Sequence, residues 1–189
     1  MTYDAVPVDL RPGAHHQPDY LARNPQGLIP ALEDAGAVIG QSLAIIEYLE
    51  EIRPQPPLLP RAALDRARVR SMALAVACDI PPLNNLRVLK YLRSPLGHDQ
   101  AAVDTWYRHW IDEGFRGLEE EAKRASGDGC HMLGTEVTLA DVCLVPQMFN
   151  ARRLNCSVDP FPTLRAICSH LETLPAFARA APDAQPDAT

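Results

Sequence analysis

No apolar run in this 189-residue sequence approaches the roughly 20 residues that a membrane-spanning helix needs. The first residues, Met1-Thr2-Tyr3-Asp4, lack the basic start and apolar stretch of a signal peptide. No membrane partner is expected, and the cytoplasm is the expected compartment. Cysteine is sparse and unpatterned: Cys78, Cys130, Cys143, Cys156 and Cys168 are odd in number and show no C-x-x-C spacing. Neither a disulfide framework nor a cysteine zinc site fits them, whereas free, mostly buried thiols do. The six histidines show no H-E-x-x-H or other ligand spacing, so no metal is expected. Positive charge is in deficit, with 18 Lys and Arg against 24 Asp and Glu. That deficit argues against nucleic acid as a partner, and Arg61, Arg66, Arg68 and Arg70 read as the solvated face of a helix. Internal repeats and low-complexity tracts are also missing. What remains is an ordinary globular composition, 47% hydrophobic and 22% charged, in a chain long enough for one large or two small domains.

Along the chain, residues 3–10 read as a strand and 17–24 as a short helix. Residues 30–33 and 37–40 read as a hairpin around Asp34-Ala35-Gly36, and a helix opens at Ser42 and ends near Ile52. The segment Pro54-Gln55-Pro56-Pro57-Leu58-Leu59-Pro60 cannot continue that helix and reads as a linker over 54–60. Beyond it the pattern is helical. Leu64, Ala67, Ser71, Leu74, Ala75 and Cys78 recur at three- and four-residue steps until Pro81-Pro82 interrupts them. Leu86–Leu92 forms a further helix. Val103, Trp106, Tyr107, Trp110, Ile111, Gly114, Phe115 and Leu118 mark the clearest amphipathic helix, with its apolar face in the core. Shorter helices are expected at about 138–152, 161–172 and 174–181. Thr138 and Asp141 form a capping box, so Asp141 reads as structural rather than catalytic. Cys78 and Cys143 read as small core residues.

Two neighbouring motifs carry the chemistry. In Asn24-Pro25-Gln26-Gly27-Leu28-Ile29-Pro30, a proline that follows a hydrophobic residue can hold a cis peptide. Ile29 can then offer its N–H and C=O to an extended peptide, as an added strand would. In Gln41-Ser42-Leu43-Ala44-Ile45-Ile46-Glu47-Tyr48-Leu49, Ser42 is the first or capping residue of a helix. The unpaired N–H groups and positive dipole end of such a helix seat a carboxylate, and Gln41 and Ser42 add side-chain hydrogen bonds. Taken alone, each motif also reads as a Pro-containing loop or an ordinary cap.

Together with Asp79–Tyr91, Thr138–Gln147 and the closing Ala181–Asp187, these segments resemble the zeta-class glutathione transferases. That family includes maleylacetoacetate and maleylpyruvate isomerases, and the similarity runs from about Tyr3 to Asp187. The resemblance implies an α+β protein: a thioredoxin-like glutathione-binding domain over 1–53, incomplete here, followed by an all-α glutathione-transferase domain over 61–189 for substrate binding and dimerisation. It also implies that Met1 falls where the family's second strand begins. The family's first strand and helix, with their Ser-Ser-Cys motif, have no counterpart in this sequence, so no catalytic residue is carried over. The residues at 3–10 and 30–33 are then expected to lack the strand that joins them.

The implied cofactor is glutathione, bound by His15, Ile29, Pro30, Gln41, Ser42 and Asn85, with Leu86 a further cleft residue. The implied substrate is a maleyl dicarboxylate, held by Arg87 in Asn84-Asn85-Leu86-Arg87 and by Arg153 in Asn150-Ala151-Arg152-Arg153. By its position alone, Arg153 also reads as a solvated arginine complementing a helix dipole. Cis–trans isomerisation needs a thiolate that adds to one alkene carbon, permits rotation and leaves, with arginines to clamp a dianion. His15 stands where relatives often carry glutamine, and Pro81 where bacterial relatives often carry histidine. A homodimer in aromatic or tyrosine catabolism is the implied setting. General conjugation of electrophiles and a non-catalytic binding module are the alternatives.

Overall fold

The computed structural model describes residues 2–185, so Pro186 and Asp187 of the closing motif lie outside the described residues. The chain divides into two units, one formed by the residues up to Pro56 and the other by Pro57–Gln185.

In the front unit, residues 2–9 adopt no regular structure, contrary to the strand expected at 3–10. No described strand lies beside them, and an extended segment without ladder partners is not a strand. The helix expected over 17–24 shrinks to a single turn, α1 (Pro18–Leu21), after a 3-10 turn at Ala14–His16. The hairpin forms as expected from β1 (Ala31–Asp34) and β2 (Ala37–Gly40), antiparallel, with Leu32 opposite Ile39. Its two-residue turn needs positive φ at both positions, and Ala35 (φ 49°) and Gly36 (φ 81°) supply it. The helix α2 (Ser42–Ile52) packs on the hairpin, and the Tyr48 hydroxyl donates to Asp34 Oδ2 at 2.7 Å. Leu43, Ile45, Ile46 and Leu49 are only half-buried, and no hydrophobic side chain of this unit is fully buried among the described residues.

The second unit holds the core. Its helices are α3 (Ala63–Asp79), α4 (Pro81–Asn84), α5 (Leu86–Arg93), α6 (Gln100–Ala125), α7 (Leu139–Arg153), α8 (Pro162–Leu171) and α9 (Pro175–Ala180). The α3 helix packs most heavily on α7, and α6 on α8. The amphipathic reading of α6 holds, since Val103, Tyr107, Ile111, Phe115 and Leu118 are all buried. On α3 the apolar stripe read from the sequence is not the buried one. Val69, Met72, Ala73 and Val76 enter the core, while Leu64 (63% exposed), Leu74 (45%) and Cys78 face outward. This helix carries two apolar stripes at helical spacing, and periodicity cannot choose between them. Cys78 is therefore an exposed thiol, not a core residue.

Leu59, within the segment read as a linker, is buried, and its neighbour Leu58 accepts from the Leu139 N–H at 2.9 Å. Where α3 meets α4, Ile80 lies so close to α6 that a Cβ on Gly114 would stand 2.4 Å from its side chain. At the start of α7, Asp141 is fully buried and accepts from the Met132 N–H, the Thr138 N–H and the Thr138 hydroxyl, each at 2.8 Å. It is structural, as the sequence indicated. Among the described residues no helix is long and apolar enough to cross a membrane.

Candidate functional site

In the front unit the site begins at the Ile29–Pro30 peptide, which is cis. The carbonyl just before it, on Leu28, accepts from the Tyr20 hydroxyl at 2.6 Å and from Asn24 Nδ2 at 2.7 Å. The buried Asn24 also accepts the Gln26 N–H at 3.2 Å, an Asx turn that brings the chain round to Ile29. Ile29 itself stays 46% exposed. Gln41 precedes α2 in an uncommon backbone conformation (φ 71°, ψ 118°), and its side-chain amide donates to Gln26 Oε1 at 2.8 Å. Strained non-glycine residues persist where their surroundings hold them, and they gather at ligand sites. One hydrogen-bonded loop thus ties Gln41 and Ser42 to the Ile29–Pro30 turn.

Ser42 is the first residue of α2 and is exposed. No side chain caps this helix and its first turn contains no acid, so its leading N–H groups are open to an anion. By contrast, α5 is capped by Asn85, α6 by Asp99, and α7 by the Thr138–Asp141 pair. His15 is half-buried, and its ring lies against that of His16 with centroids 3.8 Å apart.

The other predicted residues lie in the helical unit. Asn85 accepts the Arg87 N–H at 3.0 Å and so caps α5, while Arg87 and Leu86 are exposed. The preceding turn is fixed to α6, with Trp106 Nε1 donating to the Leu83 carbonyl at 2.9 Å and Asn84 Nδ2 to the Tyr107 carbonyl at 3.0 Å. Arg153 closes α7, exposed, and donates to Asn150 Oδ1 at 3.3 Å. Neither Arg87 nor Arg153 pairs with a carboxylate among the described residues, whereas Arg152 pairs with Glu172. Burial pushes the Tyr107 phenol above its ordinary pKa, and the positive charge of Arg153 opposes the shift.

Sequence reasoning gave no role to Tyr20 or Gln26 and read Tyr107 only as a core residue of the amphipathic helix. The Asn24-Pro25 dipeptide does signal a turn, so its Asx geometry was readable. Tyr20 and Tyr107 act across eight residues and across helices respectively, and no local pattern announces that.

A cis-proline turn before a hairpin and helix in the front unit, and a separate all-helical unit after it, match the glutathione-transferase fold. The profile of the glutathione S-transferase N-terminal domain matches residues 1–52. A probable maleylacetoacetate isomerase from Vibrio cholerae is 47% identical over 184 residues, spanning 97% of this chain and 85% of that protein. The holo structure of maleyl pyruvate isomerase, a bacterial zeta-class glutathione S-transferase, is 45% identical; it covers 96% of this chain and 86% of its own, with a TM-score of 0.93. A maleylacetoacetate isomerase from Methylobacterium extorquens AM1, solved with malonate and glutathione bound, is 38% identical and has a TM-score of 0.95 over 100% of this chain and 89% of its own. The chain belongs to the zeta-class glutathione transferases, the family of the maleylacetoacetate and maleylpyruvate isomerases.

Proposed function

We propose that this chain is a glutathione-dependent cis–trans isomerase of maleyl dicarboxylates, maleylacetoacetate or maleylpyruvate. The observation that carries the reading is its near-full-length likeness to isomerases of both names, at 47% identity to the former and 45% to the latter.

The residues present fit glutathione. The uncapped start of α2, with the exposed Ser42 hydroxyl, offers donors to a carboxylate, and the Gln41 amide stands beside it. The exposed Ile29 backbone, ahead of Pro30, offers an N–H and a C=O to an extended peptide. His15 contributes a ring to the same unit, and Asn85 steadies the start of α5. The chemistry that glutathione supplies when bound is a sulfur nucleophile that adds to the conjugated alkene, frees it to rotate and departs. Arg87 and Arg153 take the carboxylates of the dianion, since neither guanidinium is neutralised by a described neighbour. In this reading residues 1–53 form the glutathione-binding domain, 54–60 the linker and 61–189 the substrate and dimer domain. A cytoplasmic homodimer is part of the proposal, and the outward Leu64 and Leu74 on α3 support an apolar partner face. No nucleic acid is involved.

The test is the isomerisation of maleylpyruvate and maleylacetone by this chain, with and without glutathione, followed by ultraviolet absorbance. Glutathione-dependent turnover is expected. The second reading is a glutathione-binding module without turnover. Saturable glutathione binding with no isomerisation would select that reading. Arg153→Ala is expected to raise KM for the dianionic substrate about tenfold and more than for a neutral electrophile, and equal effects on both would remove Arg153 from the clamp.

A further inference from the structure

Between α6 and the loop that joins α7 to α8 lies a recess of about 430 Å³, a volume in the range of small-molecule sites. Thr105, Arg108 and Ile111 of α6 line it on one side, and Cys156, Ser157 and Pro160 of the loop on the other. None of these residues belongs to the candidate glutathione or substrate set. Ile111 is 1% exposed and Cys156 9%, so the floor is apolar and fixed in the core. The loop wall is held as well. The Cys156 N–H donates to the Ala151 carbonyl at 2.9 Å, the Phe161 N–H to the Val158 carbonyl at 3.1 Å, and Arg165 pairs with Asp159 at 3.0 Å.

Arg108 is the cation of this recess, and its own helix leaves it without a counter-ion. Carboxylates stand four residues to either side, at Asp104 and Asp112, the spacing at which helical ion pairs form. Both are engaged elsewhere. Asp104 accepts from the Gln100 amide at 2.5 Å, and Asp112 accepts from Arg116, which also donates to Glu113 at 3.0 Å. The Arg108 guanidinium pairs with no carboxylate among the described residues. Across from it the Ser157 hydroxyl has no described hydrogen-bond partner, whereas that of Thr105 donates to the Ala101 carbonyl at 2.8 Å. The recess therefore presents a planar cationic fork and an open hydroxyl beside apolar side chains.

We propose that this recess is a second ligand site, which takes a small monocarboxylate with an apolar body, its carboxylate on Arg108 and Ser157 and its body against Ile111, Cys156 and Pro160. A guanidinium matches a carboxylate bidentately, and the serine hydroxyl adds a further bond. Such a ligand supplies the counter-ion that α6 withholds, over a floor that is already shielded from water. Asp112 also lines the recess and disfavours a second negative charge, so the dianionic maleyl substrates are not its ligands. Cys156 contributes packing rather than chemistry, since burial pushes its thiol above the ordinary pKa, with the charge of Arg108 opposing the shift.

The experiment is calorimetric titration of the full chain with benzoate, with inorganic phosphate to test charge alone and benzyl alcohol to test the body alone. Tryptophan-detected melting confirms that each variant is folded. Benzoate is expected to bind roughly tenfold more tightly than either control. Arg108→Ala should weaken benzoate about tenfold, Arg108→Lys about threefold and Ser157→Ala about two- to threefold, while Arg153→Ala and Ser42→Ala leave it unchanged. Absence of benzoate binding, or equal binding by Arg108→Ala, overturns the site. So does phosphate binding as tight as that of benzoate, which would mark an adventitious anion only. A loss on Arg153→Ala or Ser42→Ala equal to that on Arg108→Ala would seat benzoate on the residues assigned above and overturn it too. Glutathione-dependent isomerisation by Arg108→Ala should match that of the unsubstituted chain, so a failure of this site and a failure of the isomerase reading are told apart.

Discussion

The two units are held together by different forces. The front unit buries no hydrophobic side chain among the described residues; its apolar groups on α2 and the hairpin are half-covered. It is organised by polar bonds: Tyr20 and Asn24 on the Leu28 carbonyl, Gln41 on Gln26, and Tyr48 on Asp34. The helical unit is organised by burial, with Ile80, Ile111, Phe115, Leu144, Met148 and Ile167 at 1% exposure or less. Burying such a side chain contributes about 1.5–3 kcal/mol, whereas an intramolecular hydrogen bond nets about 0.5–1.5. The difference extends to helix ends. The helical unit fills the N-termini of α5, α6 and α7 with its own side chains and leaves those of α3 and α9 without a side-chain cap, and the front unit leaves that of α2 without one. Buried apolar contact is concentrated in the helical unit, and the front unit relies on polar bonds.

The largest effect expected from this contrast is in amide hydrogen exchange. Amides of β1, β2 and α2 should exchange about a thousandfold faster than those in the middle of α6 and α7, a gap of about 4 kcal/mol in opening free energy. Equal protection across the two units, measured by mass spectrometry, would break the comparison.

The next effect is confined to the helical unit. Asp141→Ala strands three donors, on Met132 and Thr138, in a fully buried place. Helical-unit stability should fall by about 3 kcal/mol. Both tryptophans, Trp106 and Trp110, lie on α6, so denaturant unfolding followed by tryptophan fluorescence reports this unit alone. A loss under about 1 kcal/mol would contradict the role assigned to the carboxylate.

A smaller effect separates the units by pH. All five cysteines lie in the helical unit. Burial pushes the Cys168 thiol up to about 12 and that of Cys143 to about 11. A thiol raised in the fold contributes stability that is complete below the unfolded pKa near 8.5 and is lost as pH rises toward the folded value. The helical unit should therefore weaken above pH about 9, by about 1.4 kcal/mol per pH unit for Cys168 alone. Cys168→Ala should flatten that slope in tryptophan-detected urea unfolding. An unchanged slope would show that the thiol does not titrate on unfolding.

The same contrast explains what was legible in the sequence. Helix boundaries in the second unit followed from Pro81-Pro82, from the Thr138–Asp141 cap and from the apolar stripe of α6, all local signals that the core reinforces. The hairpin was legible because its turn, Asp34-Ala35-Gly36, is a local signal too. Residues 3–10 had strand composition but no described neighbour, and pairing is not a property of one segment. On α3 the buried stripe depended on which face α7 covers, so the sequence offered Leu64, Leu74 and Cys78 as readily as Val69, Met72 and Val76. At the candidate site, Ser42 and Ile29-Pro30 stood out as motifs. Tyr20, Gln26 and Tyr107 did not, because each gains its meaning from a partner distant in the chain.

The smallest expected effect tests whether the start of α2 can be altered without touching the core. Ser42 is exposed and uncapped, and removing its hydroxyl strands no buried group. Ser42→Ala should weaken glutathione binding by about 1 kcal/mol, close to fivefold, because a hydrogen bond to a carboxylate is lost while the α2 N–H groups remain. The tryptophan-detected transition of the helical unit should not move, since serine and alanine differ little in helix propensity and neither tryptophan lies in the front unit. Fluorescence unfolding and glutathione titration of the same sample read the two quantities separately. Unchanged affinity would take Ser42 out of the anion seat and leave the seat to backbone alone. A shifted helical-unit transition would show that the front unit lends stability to the core, and the division between stabilising and binding regions would no longer hold.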